Sequence, residues 1–118
     1  MAETKTPTIY ILEDSHYPGW IKIAKTTQNP DDIIRKQYGN LIPYGDFTAK
    51  IAHTTEAVKN NGKPLSDFNI LDVLQASGFK KGYSKWIECT TEIAIQTIEN
   101  IKNGLTVNQL VKKIEVIE

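Results

Sequence analysis

Thr8-Ile9-Tyr10-Ile11-Leu12-Glu13-Asp14-Ser15-His16-Tyr17-Pro18-Gly19-Trp20-Ile21-Lys22-Ile23-Ala24 is the stretch whose reading decides the fold. Residues 8–12 are β-branched, aromatic and aliphatic, the composition of a buried strand. The run stops at Glu13-Asp14-Ser15, and His16-Tyr17-Pro18-Gly19 is a turn holding both strong chain breakers. Trp20 to Ala24 resumes as a second strand. Its alternation sets Trp20, Lys22 and Ala24 on one face and Ile21 and Ile23 on the other. Two such strands joined by one turn predict a hairpin.

Working outward, Asn29-Pro30-Asp31-Asp32 reads as an N-cap, a proline at the first helical position, and acids favoured by the helix dipole. A short helix is predicted to run to about Tyr38 and end at Gly39-Asn40. Phe47 to Thr54 offers a third strand, with Phe47, Ala49 and Ile51 on one face. Thr55 to Val58 suggests a helical turn before the loop Asn60 to Pro64. Leu65 to Ala76 has amphipathic helical spacing with Ser66 as cap, Lys85 to Cys89 is a short strand, and Thr91 opens a helix closed by Asn103-Gly104. Leu105 onward carries a further helical pattern.

The predicted class is therefore α+β: a small, mainly antiparallel sheet of three to four strands flanked by helices, in the order β-β-α-β-α-β-α with a C-terminal helical extension. Residues 1–7 read as a loose lead-in, 8–104 as one domain, and 105–118 as the extension or a linker into a longer protein.

One domain is what 118 residues imply, and one ordinary core suffices at that length. The chain has a single cysteine, Cys89, so no disulfide framework is built, which fits a reducing compartment. No apolar run approaches the roughly 20 residues of a membrane span, and residues 1–8 lack the apolar stretch of a signal peptide. A cytoplasmic protein without membrane contact is the expectation. The 14 basic and 14 acidic side chains cancel, which argues against a general polyanion binder. Two groups of cations nevertheless sit close in sequence: Lys22, Lys25, Arg35 and Lys36, and Lys80, Lys81 and Lys85.

Zinc spacing and a phosphate-binding glycine loop are both missing. Cys89 and His53 read as structural residues. One constellation remains: Tyr10 on the first strand, Lys22 and Lys25 on or after the second, Arg35 on the first helix and Asp67 on a later one. These are the parts that phosphodiester hydrolysis requires. A lysine or tyrosine orients or deprotonates water, an arginine offsets charge on phosphoryl oxygens, and a carboxylate holds a divalent ion.

Ile9-Tyr10-Ile11-Leu12, Pro18-Gly19, Ile21-Lys22-Ile23-Ala24-Lys25-Thr26-Thr27, Asn29-Pro30 and Arg35 resemble the opening of a GIY-YIG nuclease domain. The nearest pattern is the branch found in phage, restriction and helicase-fused proteins, where the second motif reads KIG. The similarity extends through Pro43 to Phe47 and through Gly78-Phe79 to Ser84-Lys85-Trp86-Ile87. The resemblance implies a DNA endonuclease using one Mg²⁺ or Mn²⁺, associated with helicase or restriction domains. It assigns Tyr10, Lys22 and Arg35 to catalysis, Lys25 to phosphate and Asp67 to the metal, with Glu56 as the rival ligand; Lys85, where the pattern has an acid, is read as a second phosphate-binding cation.

Four positions depart from the pattern. Ala24 replaces a glycine, Leu71 replaces the histidine four residues after the metal carboxylate, Asp67 shortens that carboxylate, and Lys85 reverses an acid. Three readings stay open: an active nuclease, a degenerate relative that binds nucleic acid or a protein partner without cutting, and an unrelated protein-interaction domain.

Overall fold

The computed structural model describes residues 6–38 and 49–104, leaving aside the side chains of residues 35, 37 and 38. Seven elements follow in the order β1 (Thr8–Asp14), β2 (Trp20–Thr26), α1 (Pro30–Tyr38), β3 (Ala49–Glu56), α2 (Asp67–Ala76), β4 (Trp86–Glu88) and α3 (Thr91–Lys102). They form an α+β domain around an open four-stranded sheet ordered β3-β1-β2-β4, antiparallel at every pairing. No helix of the described residues is long and apolar enough to cross a membrane.

The hairpin forms where the sequence sets it, with Tyr10 opposite Ala24 and Leu12 opposite Lys22. Its connection ends in a β-turn from Tyr17 to Trp20, closed by the Trp20 N–H donating to the Tyr17 carbonyl at 3.1 Å. Gly19 takes φ +85°, the left-handed value the third residue of a Pro-Gly turn requires. Asn29 caps α1, its Oδ1 accepting from the Asp31 N–H at 3.0 Å. Thr90 caps α3 in the same way, accepting from the Ile93 N–H.

The alternation of the hairpin divides the core in two. Ile9, Ile11, Ile21, Ile23 and Ile87 face α2 and α3, where they meet Ile70, Leu71, Leu74, Ala94 and Ile98 in one large buried cluster. On the reverse face Tyr10, Leu12, Ala24 and Ala49 meet Ile34 of α1 in a much smaller one. Cys89 is buried in the larger cluster.

Three local expectations are corrected. Thr55 and Glu56 do not begin a helical turn: they finish β3, because Glu56 still pairs with Thr8 at the end of β1. The following Ala57 N–H then donates to the Pro7 carbonyl at 2.8 Å. The helix expected from Leu65 starts at Asp67, and Ser66, though at its N-cap, makes no side-chain cap bond. The strand expected over 85–89 is shortened to Trp86–Glu88. Phe47 and the helical pattern after Leu105 lie outside the described residues.

Candidate functional site

The register distributes the sequence-derived site residues over both faces of the sheet. Tyr10 and Lys22 share the α1 face, one strand and two positions apart. Tyr10 is buried between Leu12, Ala24 and Ile34, so its ring is also a core side chain. Ala24 belongs to that cluster, and its methyl fills space that a glycine would leave empty. Arg35 stands in α1, with its side chain outside the described residues. Lys25 falls opposite Ile9 and so turns to the α2 side. Glu56 is exposed at the far end of β3. Leu71, at the position where the resemblance expects histidine, is fully buried under the sheet.

Asp67 sits at the start of α2 with its carboxylate almost wholly buried. Oδ1 accepts from the Phe68 N–H at 2.8 Å. Oδ2 accepts from the Lys25 N–H at 3.0 Å and from Lys85 Nζ at 2.7 Å. The geometry has a local cause. β4 reaches only to Trp86, opposite Lys22, so the outward donors further along β2 need other partners. The Ile23 N–H takes the Lys85 carbonyl at 3.2 Å, and the Lys25 N–H takes Asp67. A carboxylate so enclosed needs a counter-charge, which Lys85 supplies while stacking over the Phe68 ring at 5.1 Å. The reversed charge at position 85 thus has its partner in the acid at position 67.

A divalent ion does not fit this arrangement. Both oxygens of Asp67 are held by donors, the expected histidine is a core leucine, and Glu56 stands on β3, across β1 from the β2 edge that Asp67 caps. Among the described residues no three His, Cys, Asp or Glu side chains gather into a group able to hold a metal.

Lys22 is set differently. It is half-buried, and removal from water together with the neighbouring Lys85 charge lowers its pKa below the ordinary 10.5. Among the described residues no carboxylate lies within ion-pair distance of it. α1 covers the β1 and β3 side of this face, and no described element covers the β2 and β4 side. There Lys22 lies opposite Trp86. Beside them opens a cleft of about 410 Å³ lined by Tyr17, Trp20, Gly82, Tyr83 and Trp86.

Sequence reasoning named Lys22 and missed the aromatic wall next to it. The signal was present as two turns, each loaded with a tyrosine and a tryptophan beside a glycine: Tyr17-Pro18-Gly19-Trp20 and Gly82-Tyr83-Ser84-Lys85-Trp86. No family model, no curated protein and no solved structure matches the chain.

Proposed function

We propose that this domain binds nucleic acid on the open half of its α1 face and does not cut it. It would be a nuclease-like frame, akin to the GIY-YIG domains its hairpin resembles, turned to binding. The observation that carries the reading is Lys22. An ammonium drawn partly out of water, next to a second lysine and without a carboxylate partner among the described residues, is an arrangement that an arriving phosphate stabilises. Asp67 supports the reading without cutting, because its carboxylate is paired with Lys85 instead of being presented to a metal.

The test is fluorescence anisotropy with labelled DNA and RNA oligonucleotides, single- and double-stranded, at low and moderate salt. Binding that weakens steeply with salt, and about threefold or more on Lys22→Ala, is expected, since each phosphate contact adds to the salt slope. The same oligonucleotides should stay intact with Mg²⁺ or Mn²⁺. No binding to any nucleic acid at low salt would overturn the reading. Metal-dependent cleavage abolished by Asp67→Asn would replace it with the active nuclease.

A further inference from the structure

The cleft beside Lys22 is assembled from two separate loops, and both are held in place. On one side the Tyr17–Trp20 turn supplies its first and last residues as walls. On the other, the loop before β4 is fixed by the Gly82 N–H donating to the Trp86 carbonyl at 2.8 Å, and by the Trp86 N–H donating to the Tyr83 carbonyl at 3.2 Å. Lys81 Nζ donates to the Ser84 carbonyl at 2.7 Å, and Ser84 itself adopts φ +57°, a conformation that serine rarely takes. Gly82 is where the two loops meet. A Cβ there would stand 2.7 Å from the Trp20 ring, so only glycine lets that indole lie against the loop.

Tyr17 and Trp86 already meet edge to face, with ring centroids 5.8 Å apart. That leaves broad aromatic faces open. Tyr17 is 57% exposed and Tyr83 92% exposed. Nothing in the packing of the core calls for a tyrosine standing in water at position 83, and an exposed aromatic patch of this kind marks a recognition surface.

Charge gives the cleft a direction. At one end Lys22 and Trp86 face each other, with Lys85 next in the chain; at the other, Trp20 faces Glu88. A ligand that is flat and aromatic in one part and anionic in the next satisfies both features together, with its anionic part at the Lys22 end. A volume of 410 Å³ lies within the roughly 300–1,000 Å³ of small-ligand sites.

We infer that the cleft between Tyr17, Trp20, Tyr83 and Trp86 receives an unpaired nucleobase while Lys22 meets its phosphate, which makes single-stranded nucleic acid the ligand. The inference rests on the nucleic-acid reading above and narrows it. In a duplex the base faces are stacked on one another and unavailable to a side chain, whereas any unpaired base offers a face to an aromatic ring.

The protein carries its own probe, because its two tryptophans, Trp20 and Trp86, both line this cleft. Intrinsic fluorescence is to be followed while titrating oligothymidylate, oligouridylate, a duplex of equal length, and an abasic strand with the same number of phosphates. Single strands should quench the tryptophans and bind at least about tenfold tighter than the duplex, and the abasic strand should bind without quenching. Tyr83→Ala should weaken single-strand binding by about fivefold to a hundredfold, the range measured for one stacked base, and Tyr83→Phe should restore it. Because Tyr83 stands almost wholly in water, neither variant disturbs folding. Duplex binding as tight as single-strand binding, without quenching and without a Tyr83→Ala effect, would overturn the inference; loss of that binding on Lys22→Ala would leave the nucleic-acid reading standing. No binding by any of the four probes would overturn both.

Discussion

The two faces of the sheet are finished to different degrees. Toward α2 and α3, isoleucines from three strands interlock with two helices, and the largest fully buried side chains are concentrated there. Toward α1, among the described residues, one short helix covers half the width with a handful of residues, and the other half presents tryptophan, tyrosine and lysine. The closed face stabilises the fold, which lets the other face hold groups that do not. A half-buried ammonium and an exposed tyrosine are tolerated because the apolar cluster behind them offsets their cost.

That division is open to test by urea unfolding, where a change in midpoint at constant slope reports stability. The largest effect is expected from Leu74→Ala, which opens a cavity in the closed face and should cost about 2–5 kcal/mol. Asp67→Ala comes next. It leaves the Lys25 N–H and Lys85 without their common acceptor and should cost about 2–4 kcal/mol, less than a fully buried pair because Lys85 can turn toward water. Ile34→Ala, on the α1 face, should cost only about 1–3 kcal/mol, since a cluster bordering solvent collapses more readily around a deletion. Equal losses from Leu74→Ala and Ile34→Ala would erase the distinction between the faces.

The smallest effect should have the opposite sign. Lys22→Met keeps the length of the side chain and removes its buried charge, so it should stabilise the fold by no more than about 1 kcal/mol while weakening nucleic-acid binding. The pH dependence follows from the lowered pKa of Lys22. At neutral pH the lysine is protonated in both folded and unfolded states, and the folded state bears the full desolvation cost. As pH rises through the depressed folded value toward 10.5, the unfolded chain binds more protons than the folded one, so stability rises. The advantage of Lys22→Met should therefore be greatest at neutral pH and vanish across that alkaline window. An advantage that persists unchanged above it would remove desolvation as the cause.

The hairpin, α1 and α3 were legible because their signals are local. Pro18-Gly19 and the alternation around it fix a turn and a register, and Asn29-Pro30 and Thr90 fix helix starts within a few residues. The character of the site was less legible because its contacts are long-range. Asp67 reads as a metal ligand and Lys85 as a phosphate contact when each is taken along the chain. Their ion pair forms only because α2 packs where the short β4 leaves off. The end of β3 was misread for a related reason: Thr55 and Glu56 extend to keep pairing with β1, a demand visible only once β1 has a partner on each side. The aromatic cleft likewise depends on two turns distant in sequence meeting at Gly82.

The Asp67 carboxylate on the Lys25 N–H has one more consequence, which concerns other copies of the chain. Beyond β4 the outer margin of β2 would offer its backbone donors to any extended segment in search of a strand to join. An aspartate seated on that donor, anchored by a lysine and backed by a helix, occupies the place where such a segment would register. The contact that ties α2 to the sheet therefore also closes this stretch of β2, the one β4 leaves uncovered, to an incoming strand.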